Sequence, residues 1–341
     1  MPERPTCDRL AMPLLTRSRH PVELLLGLLL AYSPAYWRGQ PARKQTVLSS
    51  TPRSRELAGI ALALAAAIAF ALANTSARLA YHGGSDPLTV SAMRFLLPTV
   101  ALIVWLRIRG LPLHLPARDG WIAAVLGAVT AFYTWALLSA IGAIPLALAI
   151  LVFYLFPLVA TVTLAACGWA KLRRQTIAAI VLAFAGLALA LDPRSGNLDF
   201  EGVALALVGA LGLGIVIAAS SRVFGTGDAR PVTLYMAAVA ALVLITLCAA
   251  HGGFVLPQTG FGWLGLVGTS VFYAFAMIAF FIAISMIGPV RVSLLSYAEP
   301  VAAAGLGVTL LGETLAPIQI SGIAVVIAAL VGATLWQPRK T

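Results

Sequence analysis

Charge is scarce in this sequence. Asp, Glu, Lys and Arg together make up only 10% of the 341 residues, whereas soluble domains carry about 25% charged residues. Hydrophobic residues account for 60% of the chain, and the mean hydropathy is +0.95. This composition excludes an ordinary soluble protein, an intrinsically disordered chain and a soluble DNA-binding domain.

Cysteine is equally sparse, and the common catalytic motifs are missing. The three cysteines, Cys7, Cys167 and Cys248, lack CxxC spacing, which excludes a disulfide framework or a cysteine metal site. The sequence contains no GxxxxGK[ST] phosphate loop, no GxSxG nucleophile elbow and no HExxH zinc motif. We therefore expect no enzyme activity, no resident cofactor and no metal site. ATP-driven transport would require another subunit.

One short motif supports a rival class of protein. Residues 225–228, Gly-Thr-Gly-Asp, match the GxGD of intramembrane aspartyl proteases. That chemistry needs a second aspartate nearby, and no aspartate lies within any apolar run, so a turn is the favoured interpretation. A membrane scaffold or sensor is a third class that the sequence leaves open.

Long apolar runs dominate the chain from Leu57 onward, separated by short breaks that carry turn residues. Only helices or closed barrels can span a bilayer, because every backbone polar group must be satisfied internally. The runs are continuously apolar rather than alternating, so they predict ten transmembrane helices rather than barrel strands. The ten runs are 57–80, 88–107, 120–141, 145–167, 174–191, 202–222, 231–250, 261–287, 290–311 and 317–336.

Residues 1–56 differ from the rest because they hold nine Lys and Arg residues and several prolines. They predict a mostly disordered, basic cytoplasmic tail. The one apolar stretch in this tail, 24–32, is too short to span ~30 Å of hydrocarbon. A signal peptide is the competing interpretation, but Glu23 abuts the run. An interfacial segment or an over-extended gene start is favoured.

Basic residues are distributed unevenly around the predicted spans. With a cytoplasmic N-terminus, twenty of the 23 Lys and Arg residues fall on the cytoplasmic side, and only Arg78 and Arg194 fall outside. This positive-inside pattern predicts a multi-pass protein of the cell membrane with both termini in the cytoplasm. It also accounts for the net charge of +11 without nucleic acid as a partner.

The chain contains an internal repeat. Residues 57–191 and 202–336 have the same length, and each holds five runs. The alignment pairs residues 151–157 with residues 294–300, so that Tyr154 matches Tyr297. A repeat with an odd number of spans forces its copy to enter from the opposite face, which predicts inverted repeats with a substrate site between them near mid-membrane. A short C-terminal tail, 337–341, follows on the cytoplasmic side.

Several short motifs together resemble a known family. The second half carries Tyr297-Ala-Glu299-Pro300, then Leu311-Gly-Glu313-Thr-Leu and a Gly-rich last span. The first half carries Asp86-Pro87, then Arg94-Phe95, and Pro157 in its fourth span. This combination resembles the EamA-type branch of the drug/metabolite transporter superfamily over about 57–336.

The resemblance implies a secondary transporter that moves small metabolites or drugs across the membrane, often as an exporter. The energetic mode is open: proton coupling is the first hypothesis, and an uncoupled facilitator or an exchanger is the alternative. The implied partners are a small-molecule substrate and the lipid bilayer, with a homodimer left open. The first half departs from the pattern, because Phe156 and Ala170 stand where the second half has Glu299 and Glu313.

Three charged residues within or beside spans are candidates for function. Arg94 is costly inside hydrocarbon, so it is expected to contact an anionic or zwitterionic substrate, unless it snorkels to the interface or pairs with a carbonyl. Glu299 is predicted to load and release protons, since desolvation disfavours a charged carboxylate, and Pro300 can kink the helix there. Glu313 is expected to be structural, bonding to backbone N–H groups at the start of the tenth span.

Polar residues within the spans complete the predicted substrate pathway. Among the aromatic ones, Tyr154 and Tyr297 are favoured because the repeat places each of them one turn from a proline. Helix–helix hydrogen bonding is the structural alternative for Asn74. The predicted pathway residues besides Arg94 are Asn74, Tyr133, Tyr154, Pro157, Tyr273 and Tyr297.

Overall fold

The computed structural model describes residues 52–108, 115–169, 174–191, 199–223 and 229–335. All regular secondary structure within these ranges is helical, which confirms the all-α class. The predicted N-terminal tail up to residue 51, the turn at 225–228 and the C-terminal tail lie outside the described residues.

The described ranges contain twelve helices. They are α1 (Pro52–His82), α2 (Pro87–Ile108), α3 (Ala117–Ala143), α4 (Leu146–Phe153), α5 (Phe156–Ala166), α6 (Arg174–Leu191), α7 (Phe200–Val223), α8 (Ala229–Ala250), α9 (Gly260–Ile287), α10 (Pro289–Ser296), α11 (Ala298–Leu310) and α12 (Pro317–Leu335). Apart from residues 219–223 at the end of α7, they belong to one compact unit.

Eight helical segments of the described chain are long and apolar enough to cross a membrane, and each coincides with a predicted run. Two further predicted spans, in α6 and α12, are apolar but shorter, at Ile177–Leu191 and Pro317–Gly332. A helix rises only about 1.5 Å per residue, so these two fall short of the full hydrocarbon thickness unless the bilayer adapts. The chain is therefore a multi-pass helical membrane protein, and its described part holds eight segments long and apolar enough to span.

The first helix begins earlier than the sequence predicted. α1 starts at Pro52, so residues 52–56, assigned to the disordered tail, are helical. Proline is well suited to the first helical position because its fixed φ matches the helix and its missing N–H is not needed there. At this end of α1, Glu56 accepts a hydrogen bond from Arg291 of α10.

The fourth and ninth predicted spans are each divided into two helices. The break between α4 and α5 lies at residues 154–155, and the break between α10 and α11 lies at Tyr297. Pro157 and Pro300 each follow three residues after the tyrosine. Proline has no N–H for the carbonyl four residues earlier, and its ring crowds that carbonyl. The sequence predicted a kink at Pro300, and the structure has a break at the matched position of both repeats.

Contacts between the repeats are reciprocal. A Cβ atom at Gly59 of α1 would lie within 3 Å of the Ile287 side chain at the end of α9, and one at Gly202 of α7 would lie within 3 Å of Ile144, just after α3. The register that pairs Tyr154 with Tyr297 also pairs Gly59 with Gly202 and Ile144 with Ile287. Each contact is therefore the copy of the other with the repeats exchanged, as expected of a pseudo-two-fold arrangement.

Close helix packing rests on small residues. Gly265 of α9 faces the backbone of α1 at residues 76–80, and Gly322 of α12 faces the backbone of α6 at Gly186 and Ala190. In both places an added methyl group would meet backbone atoms within 3 Å. Small residues let helix backbones approach within a membrane, where association depends on van der Waals contact.

Candidate functional site

A chain of buried polar side chains links helices of both repeats. Asn74 of α1, only 2% exposed, is at its centre. Its amide oxygen accepts a hydrogen bond from Nη1 of Arg94 on α2 at 2.8 Å, and its amide nitrogen donates to Oε1 of Glu299 on α11 at 3.0 Å. Asn74 thus makes hydrogen bonds to two other helices, and these bonds connect the two charged candidates.

Arg94 is held deep inside the protein. The residue is 3% exposed, and its Cζ atom lies 4.2 Å from the centre of the Tyr273 ring, within the range of a cation–π interaction. Phe95 packs edge-on against that ring. The buried guanidinium bonds to the side-chain amide of Asn74, so its hydrogen-bond partner lies on another helix of the same repeat.

One nitrogen of Arg94 is left without a partner. Its Nε atom is buried and makes no hydrogen bond with any residue that the structure describes. A buried donor without an acceptor costs about 1–3 kcal/mol, and more when the group is charged. An anionic oxygen of a ligand would satisfy this donor.

Glu299 connects the network to both helix breaks. It is 6% exposed, and it lies in the first turn of α11, directly after the break at Tyr297. Its Oε2 atom lies 2.7 Å from the hydroxyl of Tyr154, which ends α4 in the other repeat. The same hydroxyl lies 2.9 Å from the carbonyl oxygen of Ser296, the carbonyl that Pro300 leaves without its helical donor.

The remaining predicted pathway tyrosines surround this chain. The Tyr297 ring lies 5.9 Å from the Tyr154 ring in an edge-on arrangement. Tyr133 of α3 interacts electrostatically with Arg94 and Tyr273. The structure thus brings the predicted residues of six different spans together, and Pro157 and Pro300 each follow a helix break.

Two groups of this site were not anticipated from the sequence. Tyr81 of α1 interacts electrostatically with Arg94 while its hydroxyl donates to the Leu138 carbonyl at 3.0 Å. The Ser296 carbonyl is the other, and its sequence signal is simply a proline four residues later. No comparable signal marks Tyr81, because an aromatic residue near a membrane interface is routine.

Glu313 lies apart from this network and bonds to a different helix from the one expected. Its Oε1 atom accepts from the backbone N–H of Leu146, the first residue of α4, at 2.8 Å. The start of α12 is served instead by Gln319, whose side chain accepts from Ala316 N–H at 2.9 Å. The prediction of a bond at the tenth span was therefore wrong. Gly312, with φ of +68° in the region that favours glycine, turns the chain back toward α11.

The Glu313 contact leads to a stability prediction. Glu313→Ala should lower the free energy of unfolding by about 1–3 kcal/mol, because the Leu146 N–H at the start of α4 loses its acceptor. Glu313→Gln keeps an acceptor oxygen and should lose less. Thermal unfolding of both variants in detergent, followed by size-exclusion chromatography, measures whether the alanine variant is less stable than the glutamine variant. Equal stability of the alanine variant and the wild type would contradict it.

The polar network combines charged, hydrogen-bonding and aromatic side chains in one buried place. Within the described ranges, no three His, Cys, Asp or Glu side chains lie close enough to share a metal ion. The network instead offers one cation with an unused donor, one carboxyl group and several aromatic rings. In a membrane interior, charged groups of this kind are expensive, which makes this network the candidate functional site.

Fold and site together define a multi-pass helical membrane protein with two related halves and a buried polar centre. The family model for the EamA-like transporter family matches residues 57–191 and 200–335. This chain therefore belongs to the EamA-like transporter family, as the sequence motifs indicated.

Comparison with solved structures supports the same fold. A solved structure titled "Crystal structure of protein" aligns with a TM-score of 0.57 and 26% sequence identity. The alignment covers 84% of this chain and 98% of the other. No match was found among curated proteins.

Proposed function

We propose that this protein is a secondary transporter that moves a small metabolite or drug by alternating access, most simply as an exporter. The observation that carries the proposal is the buried chain Arg94–Asn74–Glu299–Tyr154, which connects residues of both repeats. A site between repeats changes its access when one repeat moves against the other. Membership of a transporter family supports the same function.

The proposal assigns distinct roles to the two charged residues. Arg94 binds the anionic part of the substrate, supported by its buried Nε atom, for which the described residues offer no acceptor. Glu299 takes up and releases the coupling proton, supported by its burial and its hydrogen bonds to Asn74 and Tyr154. Without proton uptake by Glu299, the same site would serve an uncoupled facilitator or an exchanger.

The proposed topology has ten spans, inverted repeats and both termini in the cytoplasm of a cell-membrane protein. Reciprocal packing of Gly59 against Ile287 and of Gly202 against Ile144 supports a two-fold relation between the repeats, and five spans in each repeat would place that axis in the membrane plane. Packing of α6 against α12 supports counting these two shorter helices as spans. The absolute orientation rests on the distribution of basic residues.

Reporter fusions test this topology. Fusions after Arg174 and after Arg230 should report the cytoplasm, and a fusion after Gly196 should report the outside, because the basic loops stay inside. The fusions after Arg174 and after Arg230 should give the same cytoplasmic signal, so each controls for the expression level of the other. An external signal after Arg174 would contradict both the orientation and the inverted repeat.

Flux measurements test transport itself. The full chain is reconstituted in liposomes and given a panel of small metabolites, with and without a pH gradient. We expect at least one compound to cross faster than in protein-free liposomes, and the gradient to drive its accumulation. Flux that is the same with and without the pH gradient would favour a facilitator. The absence of flux for every compound would favour a scaffold or sensor.

A further inference from the structure

The hydroxyl group of Tyr154 faces two acceptors at once. The Glu299 Oε2 atom is 2.7 Å away and the Ser296 carbonyl oxygen is 2.9 Å away, both within the usual range for an O–H···O hydrogen bond. A phenol carries a single proton, so it can donate to only one of the two at a time. The protonation state of Glu299 determines which acceptor the phenol serves.

The two states follow from simple hydrogen-bond counting. When Glu299 is protonated, the carboxyl group can donate to the Tyr154 oxygen, and the Tyr154 proton is free to bond to the Ser296 carbonyl. When Glu299 is ionised, it offers only acceptors, and the charge-assisted bond from Tyr154 to the carboxylate is the stronger one. The Ser296 carbonyl then loses its partner, since Pro300 has no N–H to offer.

We propose that Tyr154 is the positioning residue that carries the protonation state of Glu299 to the break between α10 and α11. Protonation of Glu299 braces the break through the Tyr154–Ser296 hydrogen bond, and ionisation releases it. Tyr154 keeps its own proton throughout and only rotates it between acceptors. This inference rests on the proposed proton uptake by Glu299 and adds the device that converts it into a change of helix geometry.

The position of Tyr154 explains why such a device would couple the two repeats. Tyr154 lies at the break in the first repeat, and Ser296 and Glu299 flank the break in the second. The hydroxyl of one residue at the first break therefore contacts residues on both sides of the second break. The first repeat has no acid at the matched position, where Phe156 stands, so only the break in the second repeat responds to protonation.

Other charged and titratable groups around Glu299 keep their protonation states in this scheme. Arg94 on α2 reaches it through Asn74 on α1, and Tyr273 on α9 interacts electrostatically with it. Tyr133 on α3 and Tyr81 on α1 interact with Arg94 instead. Among the described residues, none of these groups hydrogen-bonds to the Ser296 carbonyl. Tyr154 is the group that contacts both this carbonyl and Glu299.

Hydrogen–deuterium exchange of the full chain in lipid nanodiscs tests the switch without a substrate. Exchange is measured over residues 291–303 at low and high pH, and wild type is always compared with E299Q at the same pH, so that intrinsic exchange cancels. We expect equal exchange at low pH. At high pH the wild type should exchange about fivefold faster, the rate equivalent of one net hydrogen bond of about 1 kcal/mol.

Two variants separate the switch from a merely structural tyrosine. Y154F should exchange fast at both pH values. P300A gives residue 300 an N–H that can donate to the Ser296 carbonyl, so P300A should stay slow at both pH values, and so should the double variant Y154F/P300A. A pH-dependent difference that survives in Y154F or in P300A would overturn the proposal, and P300A keeps the test decisive if Y154F does not fold.

Infrared spectroscopy distinguishes failure of the switch from failure of the coupling. The carboxyl C=O band of Glu299 is identified by its loss in E299Q. A band that disappears at high pH while exchange over 291–303 stays constant rejects the Tyr154 switch alone. A band that never changes with pH rejects proton uptake by Glu299, and with it the proposed coupling.

Discussion

Glu299→Gln is expected to abolish transport driven by a proton gradient while leaving protein level and substrate binding largely intact. Glutamine keeps the shape of a protonated carboxyl and can still bond to Asn74 and Tyr154, but it cannot exchange a proton. Moving one proton across the membrane potential supplies about 2.3 kcal/mol per 100 mV, which the variant can no longer use. Accumulation in liposomes with an imposed pH gradient measures the loss.

A matched control exists near the end of the same span. Glu313→Gln makes the identical chemical change at a carboxyl that bonds to Leu146 N–H, away from the polar network. It should retain gradient-driven accumulation. If Glu299→Gln accumulates substrate like the wild type, Glu299 is structural, and the protein is a facilitator whose repeats move without proton coupling.

Arg94→Gln is expected to weaken substrate binding more than it lowers the maximal transport rate. A hydrogen bond to a charged group is worth about 1.5–3 kcal/mol, so the half-saturating concentration should rise about tenfold or more. Uncoupled exchange flux, measured against the concentration of whichever compound the liposome panel identifies, reports this shift. The maximal rate of the variant should change less than its half-saturating concentration.

Two further variants show whether the effect belongs to Arg94 itself. Arg291→Gln removes an exposed arginine that pairs with Glu56, and such surface pairs contribute little, so its binding should be unchanged. Arg94→Lys keeps the charge but loses the planar guanidinium over the Tyr273 ring, so its binding should be intermediate. Unchanged binding in Arg94→Gln would remove Arg94 from the substrate site.

The fold was largely predictable because its main signal is local. A run of apolar residues specifies a membrane helix wherever the chain enters hydrocarbon, and the predicted runs match the eight long segments. The ends were less predictable. α1 extends back to Pro52, since a helix can continue beyond the hydrocarbon, where hydropathy no longer distinguishes it from a tail.

The candidate residues were predictable as individuals but not as partners. Arg94 and Glu299 stand out because a charge within a span is costly, and Pro157 and Pro300 because proline disturbs a helix. Nothing in the sequence indicated that Asn74 would lie between the two charges. Glu313 was assigned to the nearest helix start in the chain, whereas its partner is 167 residues away.

The sequence by itself determined the membrane class, the positions of the apolar helices, the two related halves and the few residues costly enough to matter. These properties depend on composition and on patterns within one helix length. Only the tertiary structure decided which atoms meet. The bonds from Glu299 to Asn74 and Tyr154 cross 225 and 145 residues of chain, and such contacts follow from how the helices pack rather than from any local pattern.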